Sequence, residues 1–168
     1  MKKVIKKIVE IKKNAYVDII GASLLTLDQF EKARKELPHC KREWWIYAHN
    51  KNQEDVPIVV SRSDILSKDY NVTELLGVRP ILHISHSGDL KLRDKFEFAG
   101  HMWKVILDDT DIIAISKDVI GVNQFNNENY MNEDGINPND YEHSEIKEYI
   151  DSWAKDNGIY IVKINDID

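Results

Sequence analysis

The chain has 168 residues, 42% of them hydrophobic, and a net charge of −6 at pH 7. That is enough apolar material for one core without staples, and the acidic balance argues against a general nucleic-acid binder, which carries a basic excess. One cysteine, Cys40, excludes an internal disulfide, and no apolar run has the length of a membrane span or of a signal-peptide core, so the expectation is a protein of the cytoplasm with no membrane partner.

Residues 1–15 form a basic segment in which Val4, Ile5, Ile8, Val9 and Ile11 alternate with paired lysines. The spacing suits a short amphipathic helix or a frayed edge strand. Residues 16–25 are apolar and β-prone. Thr26 with Gln29 makes a capping box, and Leu27, Phe30, Ala33 and Leu37 give the helix one apolar face; Pro38 ends it. Residues 44–47 read as a strand, 49–55 as a polar connection, and 56–61 as a strand whose Pro57 marks an edge or a bulge. Residues 62–76 read as irregular, and 77–84 as a strand interrupted by Pro80.

His86-Ser87-Gly88-Asp89 is a turn and the best internal boundary, dividing a single domain at 16–164 into halves 16–86 and 89–164. Residues 95–98, 101–107 and 112–116 read as a three-strand meander, with turns at Ala99-Gly100 and 108–111. Residues 123–140 are rich in Asn, Asp and Glu and read as loop. Ser144 caps a second helix whose Ile146, Tyr149, Ile150 and Trp153 share a face. Asp151 and Lys155 are spaced to pair, Gly158 is a natural stop, and 159–164 can return as a final strand.

The most informative motifs are Glu43-Trp44-Trp45-Ile46 and Gly77-Val78-Arg79-Pro80-Ile81-Leu82. Adjacent tryptophans are costly in water, so Trp44 and Trp45, like Trp103 and Trp153, read as core. An arginine in an apolar strand needs a carboxylate or carbonyl partner, or reaches the surface. Arg79 is therefore a structural ion pair, a carbonyl clamp, or a ligand contact.

Other groups are weaker signals. His83 and His86 point to opposite faces of a strand, which suits no metal site. His39 is badly placed to activate the Cys40 thiol, being its neighbour in sequence. Asn137-Pro138-Asn139-Asp140 is oxygen-rich but lacks the alternating acids of a calcium loop. Asp108, Asp109 and Asp111 are explained by a hairpin turn. No phosphate-binding glycine pattern is present, and no metal or cofactor is expected. Charge is uneven: from Ile106 onward there are fifteen Asp and Glu against four lysines and no arginine. This is either a solvated surface or an acidic face that attracts a basic partner.

The run Ser23-Leu24-Leu25-Thr26-Leu27 into a helix, then Trp44-Trp45-Ile46, then Gly77-Val78-Arg79-Pro80-Ile81-Leu82, resembles domains of unknown function common in Firmicutes and their phages. Those read roughly as a leucine-rich strand, a helix, W-W-L-R-S-P-G and G-V-R-P-A-L. Phe96-Glu97-Phe98-Ala99-Gly100 with Trp103-Lys104-Val105-Ile106, Ala114-Ile115-Ser116-Lys117 and the helix ending at Trp153 resemble the segment that often precedes the W-W motif in the same family. The resemblance implies a C-type-lectin-like fold, shared with formylglycine-generating enzymes and retroelement variable proteins. Two departures stand out. Ile46-Tyr47-Ala48-His49 replaces L-R-S-P, and the two segments occur in reverse order, as in a permuted arrangement or a second small module. Formylglycine-type catalysis, which uses a cysteine pair, does not carry over to a chain with Cys40 alone.

The resulting expectation is an α+β, C-type-lectin-like domain with a mixed, mainly antiparallel sheet and two flanking helices. Its implied role is a non-enzymatic binding protein of phage or prophage origin. It would engage a host protein, such as a component of a bacterial defence system, through loops and an acidic face. The binding residues expected are Tyr47, His49, Asn52, Arg79, Glu128, Glu133 and Asp134. The alternative is a small-ligand or nucleotide pocket walled by Arg79, His83, Tyr47 and tryptophan.

Overall fold

The computed structural model describes residues 2–5, 15–50, 54–62, 64–67, 71–86, 88–127, 135 and 137–159. Asn52, Glu128, Glu133 and Asp134 lie outside these residues, as does the final strand expected after Ile159.

The fold is α+β, with two helices and two mostly antiparallel sheets rather than one. In chain order the strands are β1 (Lys2–Ile5), β2 (Ala15–Ser23), β3 (Trp44–Ala48), β4 (Val56–Ser61), β5 (Asp64–Ser67), β6 (Leu76–Val78), β7 (Ile81–Ile84), β8 (Lys95–Phe98), β9 (His101–Asp108), β10 (Ile112–Ser116) and β11 (Gly121–Asn123). Helix α1 (Leu27–Ala33) follows β2 and helix α2 (Glu145–Asp156) follows β11. A six-stranded sheet runs β1-β2-β7-β10-β9-β8, and a five-stranded sheet runs β11-β6-β3-β4-β5. Each sheet takes strands from both halves of the chain.

The basic N-terminus contributes an edge strand, β1, rather than a helix. The stretch read as irregular contains β5, which pairs with the far end of β4. That pairing spans Val59–Ser61 and shifts register between Val59 and Val60, so on the β5 side Pro57 lies beyond the ladder, while on the other side it stands opposite Tyr47 of β3. The stretch 77–84 is two strands in two sheets. Val78 ends β6, Ile81 begins β7, and Arg79-Pro80 carries the chain across. Proline lacks the N–H that a continuous ladder would need, which is why the pairing changes here. Gly77 is required by contact: a Cβ there would lie 2.4 Å from Val119 Cγ1 and 2.8 Å from the Glu43 carbonyl.

The alternation of each central strand feeds two cores. Trp45 and Tyr47 of β3, Leu82 and Ile84 of β7, and Ile112 and Ala114 of β10 enter one cluster, against which α2 packs with Ile146, Ile150 and Ala154. Trp44 and Ile46, Ile81, and Ile113 and Ile115 enter the other, covered by Phe30 and Ala33 of α1. Strands buried on both faces read as unbroken apolar runs, as β3, β7 and β10 do.

The caps follow the sequence. Gln29 N–H donates to Thr26 Oγ1 at 3.2 Å and Thr26 N–H to Gln29 Oε1 at 2.9 Å. Ser144 Oγ accepts from Lys147 N at 3.1 Å. Helix α2 closes with Gly158 N–H on the Lys155 carbonyl and Ile159 N–H on the Ala154 carbonyl, the paired bonds of a Schellman end. Asp151 pairs with Lys147, 2.7 Å away, not with Lys155: Lys147 approaches it from the preceding turn.

Candidate functional site

Arg79 is a carbonyl clamp. It is 1% exposed. Its Nε donates to the Ser116 carbonyl at 2.8 Å, and Nη2 to the carbonyls of Pro38 at 2.7 Å and Lys117 at 3.0 Å. The guanidinium lies 4.7 Å from the Trp44 ring centre, a cation–π contact. Burial lowers its pKa to about 10, with Cys40 and Asp118 opposing the shift; the group remains charged at neutral pH.

Tyr47 and His49 belong to a joint between the two halves. The Tyr47 and Tyr141 rings stack at 4.3 Å with planes 12° apart. Asp55, almost fully buried, accepts from Asn50 N and Tyr141 N, each at 3.0 Å. His49 Nδ1 stands 3.2 Å from the same carboxylate. Burial first, and then the Asp55 and Glu142 charges, push the Tyr47 phenol above its ordinary range. Tyr47 belongs to one core cluster, His83 lines a recess that includes neither Tyr47 nor Arg79, and Arg79 is 1% exposed, so these three do not wall one described cleft.

His83 sits between two partners. Its Nε2 is 2.7 Å from Ser23 Oγ, and its Nδ1 is 3.5 Å from Asp111 Oδ2. This is the order of atoms found in a hydrolase triad. His83 and Asp111 open on a recess of about 240 Å³ shared with Thr26, Asp28, Lys32 and Asp109. Ser23 is not among its walls, so the hydroxyl does not face the space a substrate would fill. Burial lowers the His83 pKa against the opposing pull of Asp111, and the imidazole is a satisfied, neutral link between strands. Cys40 is buried, with its thiol directed at the Arg42 carbonyl. Among the described residues no three His, Cys, Asp or Glu side chains converge as metal ligands. Asn137 Oδ1 accepts from Asn139 N and Asp140 engages His143, while the Asn139 amide donates to Glu54 and the Pro138 carbonyl accepts from Asn126, so the oxygen-rich loop is held by its own bonds and by neighbouring segments.

A concavity of about 780 Å³ forms an open groove between α2 and the chain leaving β11. Glu145, Glu148, Tyr149, Ser152, Trp153 and Asp156 line one side. They form a single helical stripe at i, i+3, i+4, i+7, i+8 and i+11. Asn123, Gln124 and Asn127 line the other side. Buried contacts fix both walls. Trp45 Nε1 donates to the Asn123 carbonyl at 3.2 Å, and Ile146 N to the Phe125 carbonyl at 3.1 Å. Trp153 packs edge-on to Phe98, 6.4 Å away, and against Trp103 at 5.7 Å, while another part of its surface lines the groove. Three carboxylates surround two aromatic rings, and no lysine or arginine is among the lining residues. Lys147, on the same helix, is engaged by Asp151 away from the stripe.

No protein-family model matches this chain, and no curated protein or solved structure matches it. The sequence feature that bears on the groove is the acidic imbalance after Ile106, to which Glu145, Glu148 and Asp156 belong. It placed the acidic face on Glu128, Glu133 and Asp134, outside the described residues. The helix carboxylates Glu145, Glu148 and Asp156 carry no separate signal in a sequence where Trp153 reads as core and Tyr149 as part of the same apolar helix face.

Proposed function

We propose that this protein is a non-enzymatic binding protein whose α2–β11 groove receives a basic segment of a partner protein. The observation that carries the reading is the groove's lining: Glu145, Glu148 and Asp156 around Tyr149 and Trp153, with no cation among them. Lysine and arginine bind aromatic faces through cation–π attraction and gain further from nearby carboxylates. The aromatic rings supply anchor area, and the acidic rim speeds encounter. A C-type-lectin-like kinship, a phage or prophage origin and a host-cell partner, such as a defence protein, are parts of the proposal that rest on the sequence resemblance alone.

The test is retention from host lysate. A partner should be held by the wild-type chain and released by about 0.5 M salt. It should be lost from a Glu145→Lys, Glu148→Lys, Asp156→Lys variant that keeps the wild-type melting temperature. Equal retention by that variant would remove the groove from the account.

A further inference from the structure

We propose a second site, independent of the groove: a basic recess that binds the phosphoryl group of a small phosphorylated ligand. It measures about 130 Å³ and is lined by Pro38, Lys95, Met102, Trp103, Lys104 and Lys117. Pockets for whole drug-sized ligands start at about 300 Å³, so this one suits a single tetrahedral oxyanion with the rest of the ligand outside.

Three observations converge. Lys95 and Lys104 are direct partners in the antiparallel β8–β9 ladder, and like charges placed opposite each other destabilise a sheet. Lys117 joins them because its N–H donates to the Met102 carbonyl at 2.8 Å, carrying the antiparallel β10–β9 pairing one residue past Ser116 opposite Trp103. None of the three lysines makes an ion pair with a described residue, in a chain with 29 acids to 23 lysines and arginines. Elsewhere Lys32 and Lys147 do pair. Glu97, two residues from Lys95 and so on the same sheet face, is paired in register with Met102 and bridges to neither lysine. Two acids are sequence neighbours of the lysines: Asp94, before Lys95, whose Oδ2 accepts from Lys91 N at 2.8 Å, and Asp118, next to Lys117 and within electrostatic reach of Arg79.

Arg79 gives the recess its rigidity. One guanidinium nitrogen, Nη2, donates to the carbonyls of both Pro38 and Lys117, two of the lining residues. Arg79 is thus a positioning residue: it touches no ligand but fixes the distance between two walls. Lysine suits a phosphate as a compact point charge, and three of them more than neutralise a dianion. An oxyanion there would relieve the Lys95–Lys104 repulsion, so binding and stability are linked.

The experiment is a melting-temperature series with inorganic phosphate and, separately, a nucleoside monophosphate, each against sodium chloride at matched ionic strength. Isothermal titration supplies the affinity. Wild type should show a saturable rise with at least one phosphate probe and none with chloride. A Lys95→Gln, Lys104→Gln variant removes the repulsion and should fold at least as well as wild type, yet bind at least about tenfold more weakly, the equivalent of losing one charged hydrogen bond. Tighter binding of inorganic phosphate identifies a free-anion site, and tighter binding of the nucleotide a phosphomonoester site. No saturable effect from either probe, an equal effect of chloride, or undiminished binding by the lysine variant would each overturn the proposal.

Discussion

The indole N–H of Trp45 donates to the backbone carbonyl of Asn123, 3.2 Å away and 78 residues further along the chain. It joins the most conspicuous motif of the first half to the wall of the groove in the second. Trp45 is therefore a core residue and also the strut behind the candidate binding surface. Its ring is 5.6 Å from Phe125, whose carbonyl in turn accepts from the first turn of α2.

Trp45→Phe keeps most of the packing and removes this one bond. A loss of about 1 kcal/mol in unfolding free energy is expected, the ordinary net value of an internal hydrogen bond. Trp45→Ala should cost about 3–5 kcal/mol, as cavity formation in a core requires. Denaturant unfolding of the two variants checks both. Equal losses would mean that ring packing does not dominate at this position.

The groove can be altered without changing a charge. A Cβ on Gly121 would lie 2.1 Å from Tyr149 Oη, so Gly121→Ala must displace the Tyr149 ring. Basic-ligand affinity is expected to fall several-fold, with Glu145, Glu148 and Asp156 intact. Binding at wild-type affinity, with Tyr149 resonances shifted in NMR, would show that Tyr149 is no part of the site.

His83 gives the pH dependence a sign. Its folded-state pKa is depressed by burial, below the unfolded value of about 6.5. Above that value both states are neutral and the group contributes nothing. Below it the unfolded chain takes up the proton first, so stability falls as the pH drops through about 6.5 toward the folded pKa. His83→Gln should therefore lose less melting temperature than wild type between pH 7.5 and 5, about the range in which a histidine titrates. An identical acid response in both proteins would show that burial of His83 carries no linkage.

Much of this fold was legible because the local signals agreed. The Thr26–Gln29 box, the Ser144 cap and the β8–β9–β10 meander all sit where turn chemistry and periodicity put them. Two features were hidden. Arg79-Pro80 reads as a break in one strand, and only the pairing partners of β6 and β7 reveal a passage between sheets. Double-sided burial of β3 erased the alternation that would have shown that Tyr47 faces one core and Trp44 the other. At the sites, the apolar neighbours of Arg79 show that it needs buried partners, and only the structure separates a carbonyl clamp from an ion pair or a ligand contact. The Lys95–Lys104 opposition follows from the two-residue Ala99-Gly100 turn, which sets Phe98 opposite His101 and Lys95 opposite Lys104, whereas the approach of Lys117 depends on the β9–β10 pairing.

The groove itself is tested most directly by the emission of Trp153. Trp44, Trp45 and Trp103 are at most 1% exposed, so Trp153 is the tryptophan that a groove ligand can contact. Titration with a short lysine- and arginine-rich peptide should change the emission saturably, with affinity that weakens as salt is raised from about 50 to 500 mM. The change should vanish in Trp153→Phe and require a much higher peptide concentration in Glu148→Lys, Asp156→Lys. An acidic peptide of equal length should produce none of it. A flat titration, or one unchanged by the charge reversal, would contradict a basic partner in this groove.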